Sequence, residues 1–462
     1  MMVEIPLPDA LMAWIPRQRW YAGKGQGASL TQRGGWNVTC ESAEILTLYV
    51  LDRQDSGATL YQVPITRRAA ALEGIRPIWH DKHGYYYDAP HDPAYAVAIL
   101  DLIATESETG GSRGHRQPGT QPVTVTASAV LNGEQSNTSI ICRTRDGSPV
   151  ILKVFRAMHA GDNPDVVLQS AISATGSALV PASVGYVSGQ WPDRSQPDGV
   201  AHGHLAFAQE FLEGAEDGWR AALRAATAGE DFSLRARRLG QATAELHATL
   251  ATALPTREAE ISDQARLLAA MHARADAALD AVPALEEFRD AIDAALNTVR
   301  GSPWPRLQRI HGDYHLGQVL AVGDEWVIVD FEGEPLRPMS ERSELDLPLR
   351  DVAGMLRSFD YVAGAVLHAG GQATELGATE LGATDWAQSA RAAFLNGYAE
   401  SATLAEGALN PGSGLLDALE LDKALYEAVY EARNRPDWLR IPVEAVQRLA
   451  SVSGLRGATS NR

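Results

Sequence analysis

The chain has 462 residues, too many for one hydrophobic core, and is expected to form two or three domains. Hydrophobic residues make up 45% of it and charged residues 21%, the balance of an ordinary globular protein, and its formal charge is −18. That charge opposes nucleic acid or an anionic membrane as a partner; it does not oppose ATP, whose phosphates need only local basic groups and Mg²⁺.

Cys40 and Cys142 stand far apart and give neither a disulfide framework nor a zinc spacing. A reducing cytoplasm is the expected setting. The opening residues, MMVEIPLPDALMAWIPRQRW, lack a basic segment followed by a long apolar one. No stretch reaches the roughly 18 apolar residues of a membrane-spanning helix.

In chain order, residues 1–90 are strand-rich. ILTLYVLDR (Ile45–Arg53) and ATLYQVPIT (Ala58–Thr66), separated by QDSG, predict a hairpin. Thr105–Pro122 is rich in Gly, Ser and Pro and predicts a mobile linker. Strands follow at VTVTASAVL, NTSIICRT and PVILKVF, then a helix at Asn163–Gly176 ended by glycine. Ser188–Gly203 predicts a loop, and HLAFAQEFL (His204–Leu212) a buried strand.

After Gly214 the pattern is helical, with apolar spacings of three and four at Leu234–Leu250 and Glu286–Val299. Short strands interrupt it around Val319 and Val327–Asp330. The duplication ATELGATELGATD (Ala373–Asp385) predicts a surface loop. Strands followed by helices imply an α+β architecture, a small lobe on a larger helical one.

The chemistry concentrates in HGDYHLGQVL (His311–Leu320) and VIVDFEGEP (Val327–Pro335). Asp313 can accept the proton of an attacking hydroxyl, and Gln318 and Asp330 can hold Mg²⁺. Phosphoryl transfer is largely positioning and charge neutralisation, so this spacing has the layout of a kinase catalytic loop and its metal-binding Asp. Gln318 occupies the usual Asn position.

Lys153 lies inside the β-branched run PVILKVFR, where a lysine can reach the α- and β-phosphates of ATP. A surface lysine on an edge strand is the plainer alternative for that residue alone. The turn region before it, LNGEQSNTSIICR, can hold phosphate through backbone amides and Ser136, Asn137 and Thr138. The chain has no GxxxxGK[ST] loop.

His311 and His315 flank Asp313 without the further ligands of a zinc site. Hydrogen bonds from His311 are expected to fix the loop, and His311 is also placed with Asp313 beside the substrate. Asp351, at the start of a periodic helix, is expected to brace the same loop. Glu245 and His247 are expected only to pack. Tyr426 and Tyr430 lie four apart, as do Glu427 and Glu431, so each pair shares a helix face. Rings beside carboxylates suit a sugar, although an ordinary amphipathic helix has the same spacing.

RQRWYAGKG, GEQSNTS, ILKVFR, HGDYHLGQVL, DFEGEP, PLRDVAGMLRSFDY and ELDKALYEAVYEARNRPDWL together resemble bacterial maltokinases, within the aminoglycoside phosphotransferase-like kinase group. The resemblance implies a bilobal protein-kinase-like fold with a cap at 1–90, an ATP-binding sheet at 91–212 and a helical lobe at 213–462. It implies transfer of the ATP γ-phosphate to the anomeric hydroxyl of maltose, on a route from trehalose to α-glucan, with trehalose synthase as a candidate partner.

Carried over by motif, Asp313 is the base, Gln318 and Asp330 bind Mg²⁺, and Lys153 contacts ATP. Gln209, Glu210 and Phe211 then form the adenine hinge, and Tyr426, Glu427, Tyr430 and Glu431 the sugar pocket. Two alternatives remain: a kinase of another sugar such as glucosamine, and a catalytically silent relative.

One departure bears on the last. Maltokinase-like chains carry NPDxEL, whose Glu would pair with the lysine, whereas this chain has Val167 in NPDVVL. Asp165 lies about 200° round the helix from that position and is not expected to replace it. Weakened nucleotide affinity is therefore expected.

Overall fold

In this computed structural model the chain divides into two compact units, Met1–Glu213 and Gly214–Arg462. The structure describes residues 7–25, 27–54, 57–131, 136–334, 337, 339–370, 376–402 and 414–457.

The first unit opens with α1 (Asp9–Trp14), then β1 (Leu30–Cys40), β2 (Ala43–Gln54), β3 (Gly57–Arg68), β4 (Trp79–Asp81) and β5 (Gly84–Asp88). These strands form an antiparallel sheet in the order β1-β2-β3-β5-β4. The β2–β3 hairpin runs in register from Glu44 opposite Arg67 to Gln54 opposite Gly57, where sequence alternation places it. Leu11, Ile15, Trp20 and Tyr21 pack against Val50, Tyr61, Val63 and Ile65 of this sheet. At roughly 25 cal/mol per Å² of buried apolar surface, such rings dominate what holds a small subdomain closed.

Next comes α2 (Pro93–Thr105). The Asp92 carboxylate caps the Ala94 amide, and Pro93 supplies the fixed φ of a first helical turn. The remaining elements are β6 (Glu108–Thr109), β7 (Ser112–Arg116), β8 (Val125–Val130), β9 (Asn137–Thr144), β10 (Val150–Phe155), β11 (Ala157–Met158), α3 (Pro164–Ala174), β12 (Ser183–Pro192) and β13 (Val200–Glu210). They build a second sheet in the order β6-β7-β12-β13-β10-β9-β8, while β11 crosses to pair with β3.

Arg156, 1% exposed, fastens the two sheets together. Its Nε donates to Thr138 Oγ1 at 2.8 Å, its guanidinium pairs with Asp88 at 2.9 Å, and it lies over the Trp20 ring at 4.8 Å.

Two sequence expectations are corrected here. Thr105–Pro122 is not a linker: Gly110 and Gly111, at φ 55° and 81°, turn the β6–β7 hairpin, and β7 then pairs with β12. Ser188–Gly203 is mostly strand. Buried Val187, Trp191, Ala201 and Leu205 continue the sheet, and the Gly- and Pro-bearing residues cluster near the tip of the β12–β13 hairpin.

The second unit contains β14 (Glu216–Asp217), α4 (Gly218–Ala228), α5 (Ser233–Ala253), α6 (Ile261–Ala281), α7 (Arg289–Asn297), β15 (Val319–Val322), β16 (Glu325–Ile328), α8 (Met339–Arg342), α9 (Leu349–Gly370), α10 (Leu376–Ser401), α11 (Leu415–Asn434) and α12 (Arg440–Gly457). Strands β14, β15 and β16 form a small antiparallel sheet.

The TELGA duplication is not a surface loop in its described part, because α10 begins at Leu376. Ala383, Trp386, Ala387, Ala390 and Phe394 bury one stripe of that helix at spacings of three and four. The α5–α10 crossing is tight. A Cβ on Gly240 would meet the Phe394 carbonyl oxygen at 2.0 Å, and one on Gly397 would meet that of Arg237 at 1.9 Å. No described helix is long and apolar enough to cross a membrane.

Candidate functional site

In the first unit, β10 sets Lys153 between Ser139 of β9 and Phe207 of β13. Its Nζ lies 3.0 Å from Asp165 Oδ2, and the Asp165 side chain is 2% exposed. Asp165 Oδ1 accepts from Gln169 Nε2 at 2.6 Å. The expectation that Asp165 could not serve Lys153 is therefore overturned. The buried face of α3 carries Asp165, Leu168, Gln169 and Ile172, whereas Val167 is only half-buried. The residue facing the sheet is the one in the first helical turn, and the four-carbon lysine stem reaches it. The silent-relative alternative loses the support that Val167 gave it.

Near Lys153, Thr138 is buried and its hydroxyl accepts from Arg156, so that oxygen serves packing. Ser136 is exposed and Asn137 half-buried. The neighbouring residues 132–135 of the predicted phosphate turn lie outside the described residues. Gln209 and Glu210 end β13, and Phe211 follows with its amide on the Pro149 carbonyl at 2.8 Å. Gln209 Oε1 is buried without a hydrogen-bond partner among the described residues. An orphaned acceptor of this kind is available to a ligand donor.

In the second unit, Asp351 near the start of α9 holds the loop carrying Asp313. Its Oδ2 accepts the His311 amide at 2.8 Å, and its Oδ1 the Gly312 amide at 2.9 Å. His247 of α5 approaches Oδ2 at 3.1 Å and Tyr398 Oη at 2.8 Å. Burial pushes the Asp351 carboxyl up, but the His247 hydrogen bond and the other partners outweigh it and hold it below its usual range.

His311 is 1% exposed; its Nε2 donates to the Val329 carbonyl at 3.0 Å, and its ring lies against Tyr314 and Phe331. Its place is inside the loop, and it does not line the cavity described below. Its donor nitrogen and its ring contacts are engaged within the loop, in keeping with the loop-fixing role expected from the sequence.

Gln318 Nε2 donates to Asp330 Oδ2 at 3.1 Å, so an amide and a carboxylate stand side by side. Oxygen donors from such a pair suit Mg²⁺, a hard cation. Asp330 has φ 65°, a left-handed conformation that costs a non-glycine residue on the order of 1–3 kcal/mol. The strained turn directs the carboxylate as β16 ends.

Asp313 opens into a cavity of about 690 Å³ whose lining includes His315, Glu334, Tyr361, Lys423, Tyr426, Glu427, Tyr430, Glu431, Arg435 and Trp438. Tyr426, Glu427, Tyr430 and Glu431, singled out in the sequence, all face this space from α11. Arg357 holds Glu427 Oε2 through Nε at 2.9 Å and through Nη2 at 2.8 Å. Burial raises the Glu427 carboxyl above its usual range, and Arg357 and Lys423 only partly oppose the rise. Glu431 is held by Tyr361 Oη at 3.0 Å and by Arg435 at 2.6 Å. Arg435 lies over the rings of Tyr430 and Trp438.

Tyr361, Lys423 and Trp438 also line this space, and no role for them follows from the motifs of the sequence. Lys423 precedes Glu427 by one helical turn, and that spacing was the available signal.

Residues 14–92 match the maltokinase N-terminal cap domain, and residues 129–390 match the phosphotransferase enzyme family. A glucosamine kinase of Mycolicibacterium smegmatis is 28% identical over 427 residues, spanning 86% of this chain and 98% of that protein. One of Streptacidiphilus jiangxiensis is 26% identical over 397 residues, spanning 83% and 87%. The solved structure of a glucosamine kinase with glucosamine, ADP and inorganic phosphate superposes with a TM-score of 0.69 at 21% identity, covering 96% of this chain and 100% of that one. The α+β kinase-like fold expected from the sequence is therefore the observed one.

Proposed function

We infer the function from one premise: the chain belongs to the phosphotransferase enzyme family. It transfers the γ-phosphoryl group of ATP to a hydroxyl of a sugar. The observation that carries this reading is Asp313 opening into the same cavity as an aromatic and carboxylate wall.

Asp313 takes the proton from the acceptor hydroxyl as the hydroxyl oxygen bonds to the γ-phosphorus and the bond to the ADP leaving group breaks. Lys153, held by Asp165, meets the ATP phosphates, and Gln209 to Phe211 meet the adenine. Gln318 and Asp330 would hold Mg²⁺, which when bound neutralises phosphate charge. Asp351, His247 and His311 keep the Asp313 loop in shape.

Glucosamine is the acceptor that the similar proteins favour by their names. Glu427 supports it: a buried carboxylate that Arg357 only partly compensates gains from an ammonium ligand. Maltose, at its anomeric hydroxyl, is the second reading. It is supported by the cap-domain match and by a wall long enough to carry Tyr426, Tyr430 and Trp438. The test is ATP- and Mg²⁺-dependent ADP release with glucosamine, maltose and glucose, with the phosphate position read by phosphorus NMR. Turnover with none of a broad sugar panel sinks the sugar-kinase reading, and turnover with maltose alone discards glucosamine.

A further inference from the structure

Lys423 stands on α11, 110 positions along the chain from Asp313. Its Nζ lies 2.6 Å from Glu334 Oε1, 3.5 Å from Asp313 Oδ1 and 5.2 Å from the centre of the Tyr426 ring. The Lys423 ammonium pairs with the Asp313 carboxylate, and the Arg342 guanidinium also acts on that carboxylate electrostatically.

An ionised proton acceptor in a half-buried cavity needs a cation nearby, but a close pair would lower its basicity and occupy the oxygen that has to take the proton. Here the ammonium is shared unequally. Glu334 takes the short contact and keeps Lys423 from closing on Asp313, which receives only the longer one. The longer contact falls on Oδ1, leaving Oδ2 for the acceptor.

We propose that Lys423 is a positioning residue for the reaction: anchored by Glu334, it holds Asp313 Oδ1 so that Oδ2 meets the acceptor hydroxyl. This inference rests on the reading of Asp313 as proton acceptor.

The test compares Lys423→Met, Lys423→Arg and the double variant Lys423→Met with Glu334→Gln in the full chain. The double variant removes both charges together and so avoids a buried unpaired Glu334 if the single variant folds poorly. Lys423→Met and the double variant lower kcat about 10- to 100-fold, the scale of a misplacement near 1 Å, with KM for ATP and sugar within about threefold. Lys423→Arg restores most of the loss. A merely structural pair would move the melting temperature and KM while sparing kcat, and an unchanged kcat in the folded double variant overturns the proposal. If the wild type turns over no sugar, the sugar-kinase reading fails on its own. The same kcat ratios are then read from slow ATP hydrolysis, where water replaces the acceptor; unchanged ratios overturn the proposal.

Discussion

Two lysines organise the two units in different ways. Lys153 faces Asp165, which is 2% exposed and itself tied to Gln169, so the pair is a fixed clamp. Lys423 is divided between Glu334 and Asp313 at unequal distances and leaves one carboxylate partly free. A fully engaged carboxylate orients its lysine, whereas a lightly held one can still accept a proton. The difference suits the roles proposed for them, a lysine that meets phosphate and a base that must react.

The comparison is broken most severely at the reacting group. Asp313→Asn should lower kcat by about 10² to 10⁴ while sugar binding survives, since a positioned proton acceptor supplies that span. Steady-state kinetics with calorimetric sugar binding checks it, and near-normal kcat would remove Asp313 from the chemistry.

Loosening the clamp comes next. Asp165→Asn should raise KM for ATP about 10- to 100-fold, the span of a charge-assisted hydrogen bond worth roughly 1.5 to 3 kcal/mol. An unchanged KM would mean that Lys153 is oriented without it.

The shared lysine gives a pH signature. Burial pushes the Glu334 carboxyl up, but Lys423 together with Arg350 and Arg337 outweighs it and holds it below its usual range. A carboxyl lowered by folding contributes stability above its unfolded pKa, about 4.3, and that contribution is lost as pH falls through the folded value. Glu334→Gln should therefore cost about 1 to 3 kcal/mol near pH 7, with the gap from wild type closing below about pH 4. Urea melts across pH 3 to 7 would show it, and a gap independent of pH contradicts the pairing.

The smallest effect is expected at the position that looked defective. Val167→Glu should leave KM for ATP within about twofold, because Asp165 already faces Lys153 and half-buried Val167 does not share that contact. Tighter ATP binding in that variant would reinstate the missing glutamate as the true partner.

How much could be read beforehand depended on range along the chain. The β2–β3 hairpin, the β10 lysine strand and α3 were legible because alternation, β-branching and a terminating glycine are local signals. So was the neighbourhood of Gln318 and Asp330, which lie within one short segment and meet side by side. The hairpins at 105–122 and 188–203 were missed because Gly and Pro mark turns as readily as they mark loose chain; buried partners elsewhere in the sheet decided the outcome. Asp165 was missed because a helical wheel drawn from Val167 ignored which face packs on the sheet. Lys423 had only its one-turn spacing from Glu427 to mark it, since the carboxylates it pairs with are supplied by loops 89 and 110 positions away.

The glycine crossing of α5 and α10 has a bearing on how this chain can change. Gly397 fixes the address of α10, and among the side chains described the buried stripe runs from Ala383 onward, toward the end of the TELGA duplication. Added repeats therefore lengthen the helix from its N-terminal end without turning the crossing, and His247, on the partner helix, keeps its hold on Asp351. Copy number at this point is a dimension along which lineages can drift while the chemistry stays in register.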